Sequence, residues 1–274
     1  ETGIRRVVVG ARDLNPAHAG LGLDQLREAG VEVIEEAGEV AADCVDLNLI
    51  FNHQVVTGDP FFALKLAVTA NGRVAETPGA PSAITGSEAQ ADVMAWRRLF
   101  PAIAVGAGTV GADDPRLTAR LPEGTWCPRR IILDGKLSSV PDNGSLPRVY
   151  SDEDRANTLV VTSPGSPSSR RAVLAENGVA LRELPTDAAD RFTFSDLKVL
   201  CAAEGLTGVF FEGGPMVAEG LLAEQALDYL FWYESPKRFE NAEALAAPPL
   251  SAFSLREPRR VTLGPDLLTR GHLA

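Results

Sequence analysis

Residues 208–216 read GVFFEGGPM, and this stretch joins three features that a cofactor site needs. The apolar run Gly208–Phe211 is typical of a strand and is followed by the carboxylate of Glu212. Two glycines then allow a tight turn, and Pro215 begins a helix. The free N–H groups and the positive dipole end of a helix start attract phosphate, so this junction predicts an anion site. The same junction also occurs for purely structural reasons, and the prediction needs support from the rest of the chain.

The composition predicts a globular protein with a large core. The chain has 274 residues, 45% of them hydrophobic and 23% charged, with a formal charge of −11. This charge argues against nucleic acid or an anionic membrane as a partner, so a phosphate ligand must be met by local Arg, Lys and N–H groups. No apolar run approaches the roughly 18 residues of a membrane helix, and the first residues lack an initiator Met and a signal-peptide pattern. We expect a soluble chain that begins within a longer protein.

The cysteines and histidines form no recognisable metal or nucleophile pattern. Cys44, Cys127 and Cys201 are odd in number and far apart, without a Cys-x-x-Cys pair, and the three histidines are scattered. We therefore expect no disulfide framework, no metal site and a reducing cytoplasmic location.

Strand-like and helix-like segments alternate along the chain. The predicted strands are Arg6–Val9, Val31–Ile34, Phe61–Val68, Ala102–Val105, Arg130–Leu133, Thr158–Thr162, Val179–Leu184, Gly208–Phe211 and Leu227–Tyr233. The predicted helices are Leu21–Ala29, Val40–Phe51, Ser87–Leu99, Pro167–Asn177, Ser195–Glu204 and Pro215–Leu227. This alternation predicts an α/β protein with a largely parallel sheet.

Local signals refine this outline. Asn71-Gly72 predicts a two-residue hairpin turn, Thr85–Glu88 a helix capping box, and the polar stretch Ser138–Asn157 a surface excursion. A domain boundary is predicted near Val55–Pro60, because too few elements precede it to enclose a core and a continuous α/β series follows it. Residues 1–55 and 56–274 are therefore interpreted as parts of two domains.

Motifs in sequence order resemble the bacterial bifunctional riboflavin-biosynthesis deaminase/reductase. Residues 5–10, 13–16, 19–22 and 29–33 resemble the closing third of its deaminase domain. Six segments resemble its reductase domain: Leu64–Ala67, Asn71–Arg73, Ile84–Gly86, Gly106–Arg120, Arg130–Asp134 and Glu212–Pro215. The most specific string is GTVGADDPRLTAR at 108–120. The resemblance implies a dihydrofolate-reductase-like fold for residues 56–274, a mixed and mostly parallel sheet flanked by helices, preceded by a partial deaminase-type α/β segment.

The resemblance also implies an activity. In that family the reductase uses NADPH to reduce 5-amino-6-(5-phosphoribosylamino)uracil to its ribitylamino product, by hydride transfer to C1 of the opened ribose, and a homodimer is expected. Hydride transfer is the cofactor's own chemistry, so no Ser/His/Asp or Cys/His arrangement is needed. The His-x-Glu and Pro-Cys-x-x-Cys segments that hold the deaminase zinc are missing from this sequence, so we do not expect the chain to deaminate.

Site residues follow from the same resemblance. The implied substrate contacts are Lys65, Arg97, Leu117, Arg120 and Glu212. The implied cofactor contacts are Ala67, Ala83, Thr109, Asp113, Gly135, Gly213, Gly214, Pro215, Met216, Val217 and Ala218. A phosphorylated sugar suits bidentate contact by a guanidinium.

Structural alternatives stay open for these residues. Thr109 could cap a short helix, and Asp113–Pro115 could form an ordinary turn. Arg97 and Lys65 could simply face solvent, and Glu212 could cap the helix that follows it.

The sequence departs from the family pattern at three places. It has Ala70-Asn71 where Leu-Asp is usual, and Pro81–Ala83 where the family places a tryptophan beside the nicotinamide. Residues 234–240 also lack the usual small-residue pattern. Two other functions therefore stay open: a module that binds NADPH without turnover, and a non-catalytic partner of a separate deaminase.

Overall fold

The computed structural model describes residues 3–18, 20–187 and 191–274. The contacts divide the chain into two compact units, Glu1–Phe61 and Phe62–Ala274. The interpretation of residues 1–55 as part of a deaminase-type domain stays a prediction. Within the described residues, no helix is both long and apolar enough to cross a membrane, and no three His, Cys, Asp or Glu side chains are grouped to hold a metal ion.

The first unit contains a parallel pair of strands and three helices in its described part. Its elements are β1 (Arg6–Val9), α1 (Leu21–Glu28), β2 (Glu32–Glu35), α2 (Gly38–Asp46) and α3 (Leu49–Thr57). The prediction of one helix over Val40–Phe51 is wrong, because the helix is interrupted between Asp46, where α2 ends, and Leu49, where α3 begins. The Asn48 side chain donates to the Cys44 carbonyl, 3.2 Å away, and thereby competes with the helical backbone for that acceptor.

The second unit is organised around a large mixed sheet. The strands are β3 (Phe61–Thr69), β4 (Arg73–Ala75), β5 (Ala102–Gly106), β6 (Ala119–Leu121), β7 (Gly124–Trp126), β8 (Arg129–Leu133), β9 (Thr158–Thr162), β10 (Ala180–Glu183), β11 (Gly208–Phe211), β12 (Tyr229–Ser235), β13 (Leu245–Ala246), β14 (Leu255–Leu263) and β15 (Asp266–Leu273). The order in the main sheet is β10-β9-β8-β5-β11-β3-β12-β15-β14. The pairings from β10 to β11 and of β3 with β12 are parallel, and those of β15 with β12 and β14 are antiparallel. The predicted mixed, mostly parallel sheet is confirmed.

Helices cover both faces of this sheet. They are α4 (Ser87–Leu99), α5 (Ala107–Asp113), α6 (Arg148–Ser151), α7 (Ser168–Glu176), α8 (Phe194–Ala203) and α9 (Pro215–Ala223). On one face, α8 and α9 bury Leu197 and Leu221 in the main apolar cluster with β3 and β11. On the other face, α4 places Trp96 against Phe231 of β12, with ring centroids 4.6 Å apart. Each face is thus closed by aromatic and aliphatic side chains, which supply most of the burial energy of such a layer.

Two local predictions are wrong because distant contacts override them. The Asn71-Gly72 turn forms, but β3 and β4 do not pair as a hairpin: β3 lies between β11 and β12, and β4 pairs with β13. The predicted capping box does not form, since α4 has Gly86 as its N-cap. Its N–H donates to the Asp266 carboxylate at 2.7 Å, so a carboxylate from the far end of the chain caps this helix instead.

The remaining differences lie in polar stretches. The sequence pattern does not predict the antiparallel hairpin of β14 and β15, because exposed arginines interrupt the alternation of apolar and polar residues along β14. Gly264, with φ +59, forms the turn between the two strands. The surface excursion at Ser138–Asn157 is wrong in part: Val140, Val149 and Tyr150 are fully buried. The stretch is polar on average, but part of it faces the protein core.

Candidate active site

Two loops meet at one edge of the main sheet. Strands β5 and β11 are parallel neighbours, and the N–H of Glu212 donates to the Ala104 carbonyl at 2.9 Å. The loops that follow them therefore begin side by side. A Cβ built on Gly106 would lie 3.7 Å from Cγ2 of Val217, which confirms that helices α5 and α9 start next to each other. The carboxyl edge of a parallel sheet is where open α/β folds bind their ligands.

The glycines at this edge serve two different purposes. A Cβ on Gly213 would lie 2.6 Å from Cβ of Val217, so only glycine fits this turn. A Cβ on Gly108, Gly111 or Gly214 would meet no atom within 4 Å, so the backbone there borders open space. Bare backbone beside open space, at the start of the nine-residue helix α9, fits the phosphate of a dinucleotide.

The residues after Gly214 contribute unequally to this edge. Pro215 is half-buried and Met216 is 73% exposed, so both border solvent at the helix start. Val217 and Ala218 are buried in the main apolar cluster, and the N–H of Ala218 donates to the Gly214 carbonyl. These two predicted cofactor residues therefore support the turn from behind rather than presenting side chains to a ligand.

A buried ion pair lies beside the loops. Arg97 of α4 binds Glu212 through both guanidinium branches, with Nη2 2.8 Å from Oε2 and Nε bonded to Oε1, and its Nη1 donates to the Thr118 carbonyl at 2.8 Å. Burial alone would raise the pKa of Glu212, but the charge and hydrogen bonds of Arg97 lower it overall. Glu212 is therefore ionised, and both predicted substrate residues are held at one point. The solvent-facing alternative for Arg97 is wrong.

Lys65 and Asp113 extend this pair into a charged cluster. Lys65 lies on β3 on the same face as Ala67, and burial lowers the pKa of its ammonium, with Arg97 adding to the effect and Glu212 opposing it. Burial also raises the pKa of Asp113, although Lys65 opposes that rise. The pKa values of this amine and this carboxyl are thus moved toward each other, as in sites that transfer protons.

The segment called here the 113–120 loop runs from the last residue of α5, Asp113, through residues 114–118 to the first two residues of β6, and it carries the predicted substrate residues Leu117 and Arg120. Its backbone is strained, because Asp114 has φ +40 and Leu117 has φ +53. The Leu117 side chain is buried, whereas Arg120 is exposed and donates from Nη1 to the Thr118 hydroxyl at 3.1 Å. Strained non-glycine backbone of this kind concentrates at functional sites.

Thr109 is the third residue of α5 and half-buried, so the alternative that it caps this helix is wrong: the N-cap is Gly106. Gly135 follows β8 at the same sheet edge, and its carbonyl already accepts from the Ser163 hydroxyl at 2.7 Å. The structure gives Gly135 only a backbone N–H to offer to a ligand.

The predicted cofactor residues Ala67 and Ala83 have contacts with residues other than those of the ion pair. Ala67 packs against a small apolar cluster of Ile84, Phe239 and Ala244. Ala83 is exposed, and its carbonyl accepts a hydrogen bond from Lys237 Nζ at 2.8 Å. No contact joins Ala83 directly to the charged cluster within the residues that the structure describes.

Sequence reasoning missed a second buried pair behind the first. The Tyr233 hydroxyl donates to Asp92 Oδ2 at 2.6 Å, which joins β12 to α4. Burial, with the charges of Asp92 and Glu212, raises the pKa of Tyr233. Neither residue belongs to a recognisable motif, and it is the folded sheet that places Tyr233 opposite Ala67 on the neighbouring strand.

Comparison with known proteins places this geometry in context. A family model described as the RibD C-terminal domain matches residues 60–267. The riboflavin biosynthesis protein RibD of Bacillus amyloliquefaciens is 35% identical over 236 residues, which cover 86% of this chain and 61% of that protein. The protein of the same name from Aquifex aeolicus is 31% identical over 273 residues, covering 97% of this chain and 72% of that protein.

A solved structure shares the fold over almost the whole chain. It is from Thermotoga maritima and is described as a diaminohydroxyphosphoribosylaminopyrimidine deaminase/5-amino-6-(5-phosphoribosylamino)uracil reductase. It is 29% identical, has a TM-score of 0.69, and is matched over 99% of this chain and 72% of its own.

Proposed function

Since this chain belongs to the family of RibD C-terminal domains, we propose that it catalyses the NADPH-dependent reduction of 5-amino-6-(5-phosphoribosylamino)uracil to the ribitylamino product of riboflavin biosynthesis. The observation that carries the proposal is the shared sheet edge. There the open backbone at Gly108 and Gly214 adjoins a charged cluster built on Arg97 and Glu212. The description of the Thermotoga maritima relative as a reductase of the same pyrimidine supports the choice of substrate.

The charged cluster suits a phosphorylated sugar. Arg97 is committed to Glu212 and the Thr118 carbonyl, so it orients the Glu212 carboxylate rather than binding phosphate itself. The ionised Glu212 can accept hydrogen bonds from ribose hydroxyls or from the pyrimidine. Arg120 and Arg116 are exposed on the 113–120 loop and present positive charge to the phosphate.

The backbone at the sheet edge suits the dinucleotide. The N–H groups at the start of α9 and the open glycines would hold its phosphates, and the apolar cluster at Ala67 would border its ring. When bound, the nicotinamide supplies the hydride that the sugar carbon receives. The protein's part is to align the two carbons and exclude water.

Lys65 is the residue that we assign to proton transfer. Reduction of the opened, imine-like sugar adds one hydride to C1 and requires one proton at the adjoining nitrogen. Burial lowers the pKa of the Lys65 ammonium, which makes it a better proton donor than a solvated lysine. Asp113, whose charge acts on Lys65, would help to restore that proton.

The wider assignments belong to the same proposal. By analogy with the bifunctional deaminase/reductase family that the sequence resembles, we assign NADPH rather than NADH as the cofactor. For the same reason we propose that the protein is a homodimer and lies in the cytoplasm. Residues 1–55 are assigned to the closing part of a deaminase-type domain without its zinc site.

The test is a turnover assay that follows NADPH absorbance with the deaminated pyrimidine as substrate. We expect oxidation that depends on the pyrimidine and is slower with NADH. Binding of NADPH without oxidation would instead indicate a non-catalytic module. An increase in size on mixing with a separate deaminase, without turnover, would indicate a partner protein. Either result would overturn the proposed activity.

A further inference from the structure

We propose that Arg130 is a positioning residue that holds the 113–120 loop in its strained shape. The inference rests on the proposed function for the assignment of that loop to the substrate. Arg130 lies on β8 and is fully buried. In the part of the chain that the structure describes, its hydrogen bonds go to neither of the glycine turns, so its effect must pass through the residues that it binds.

All five N–H donors of Arg130 have acceptors. The acceptors are Thr158 Oγ1 at 2.9 Å, the Arg116 carbonyl at 3.1 Å, the Val149 carbonyl at 3.1 Å, and the two Asp152 oxygens at 2.7 and 2.8 Å. A buried guanidinium is tolerated only when it is paired and fully bonded, and here no donor is left for a ligand. Arg130 therefore cannot bind substrate itself.

One of these five bonds reaches the strained loop. Arg116 lies between Asp114 and Leu117, the two residues with positive φ. A non-glycine residue keeps a positive φ only when the surrounding structure holds it in that conformation. The Arg116 carbonyl accepts a hydrogen bond from the buried Arg130, and the Asp114 carboxylate accepts one from the Arg148 N–H at 2.7 Å.

A further hydrogen bond connects this loop to the charged cluster. Two residues after Arg116, the Thr118 carbonyl accepts from Arg97 Nη1 at 2.8 Å. Release of the Arg116 carbonyl would let the loop relax, move the Thr118 carbonyl, and loosen the orientation of Arg97 on Glu212. The glycine turn at Gly213 is held by its fit to α9 and would not change.

The decisive variant is Asp152→Asn, which keeps the size of the side chain and removes the charge that anchors Arg130. We expect the KM for the pyrimidine to rise about tenfold, as for loss of a hydrogen bond to a charged group, while the KM for NADPH stays unchanged. Arg130→Lys is the second variant, since lysine cannot span the same acceptors, and it decides the question if Asp152→Asn does not fold.

Limited trypsin digestion gives a readout that does not depend on activity. The Arg116 side chain is exposed, but its carbonyl, where trypsin would cut, is bonded to Arg130. We expect cleavage between Arg116 and Leu117 to become about tenfold faster in Asp152→Asn. The matched control is Leu174→Ala, which opens the core under α7 without touching the Arg130 network.

The outcomes separate cleanly. Equal acceleration of cleavage in Asp152→Asn and Leu174→Ala would show general loosening and overturn the inference. Unchanged cleavage and unchanged KM in Asp152→Asn would do the same. If the natural protein shows no reductase activity, the proposed function fails, and the cleavage pattern still decides whether Arg130 holds the loop.

Discussion

The Arg97–Glu212 pair offers the sharpest test of the site. Both side chains are almost buried, with 11% and 12% of their surfaces exposed. Removing one partner of a buried ion pair leaves an uncompensated charge and costs about 3–5 kcal/mol, so we expect this loss of unfolding free energy for Glu212→Ala. Glu212→Gln retains one acceptor oxygen for Arg97, and its expected cost is about 1.5–3 kcal/mol.

Kinetics should separate Glu212→Gln from a merely destabilised protein. Since the amide oxygen is a weaker hydrogen-bond acceptor than the carboxylate, we expect kcat/KM for the pyrimidine to fall about tenfold to a hundredfold, with little change in the Kd for NADPH. The double variant with Arg97→Gln should cost less than the sum of the single variants, because neither charge is then left unpaired.

Chemical denaturation and steady-state kinetics measure the two effects. Glu219→Gln is the control, since Glu219 is an exposed carboxylate on α9 and its loss should change neither quantity. If Glu212→Gln unfolds at the same denaturant concentration as the natural protein and keeps its KM, the pair neither stabilises the fold nor orients the substrate, and the site must lie elsewhere.

Three further predictions concern the walls of the site. Gly213→Ala should cost about 1–3 kcal/mol of unfolding free energy by overpacking, whereas Gly214→Ala, at the N-cap of α9 beside open space, should cost less than about 1 kcal/mol and weaken NADPH binding in a fluorescence titration. Lys65→Met should lower kcat by about 10²–10⁴-fold. Lys65→Met should also raise the unfolding free energy at neutral pH, because burial lowers the Lys65 pKa and the charged ammonium therefore costs stability in the folded state. In the natural protein this cost should disappear as the pH rises from the lowered pKa to 10.5, whereas the variant should show no such change in denaturation measured over the same pH range. Asn71→Ala removes the bond from Asn71 Nδ2 to the Phe239 carbonyl at 2.8 Å and should speed amide exchange near Phe239 without changing the KM for the pyrimidine.

Local patterns in the sequence were sufficient for several strands and helices of the second unit, although not for β14 and β15. Thr158–Thr162, Gly208–Phe211 and Ser87–Leu99 have the predicted bounds, because continuous apolar runs and clear end signals determine them. The charged residues that the resemblance assigned, including Lys65 and Glu212, also act on one another in the structure.

What sequence could not predict depends on contacts between distant segments. The carboxylate that caps α4 comes from Asp266, 180 residues away, and the buried Tyr233 pairs with Asp92 across 141 residues. In the sequence, Arg130 is only the first residue of a predicted strand and of one of the segments that resemble the family. Its proposed role depends on acceptors from three separate segments, at Arg116, Val149–Asp152 and Thr158, which only the folded chain brings together.

The three departures from the family pattern turn out to be neighbours. Asn71 bonds to the backbone of Phe239 through both its amide nitrogen and its carbonyl oxygen. Ala83 receives the Lys237 ammonium on its carbonyl. Phe239 then packs with Ile84 against Ala67, one of the predicted cofactor contacts.

Substitutions that contact one another are more simply explained as one change than as three. The Phe239 ring of the 234–240 segment packs with Ile84, the residue that follows Ala83, and hydrogen bonds to Asn71 and to the Ala83 carbonyl hold that segment in place. These mutual contacts favour a cofactor wall that is formed by different residues over one that has been lost. They therefore favour an enzyme over a module that only binds the cofactor. Replacement of Phe239 by alanine tests that distinction directly: a rebuilt wall predicts a large fall in kcat and weaker NADPH binding in the same variant, whereas a wall without function predicts a change in stability alone.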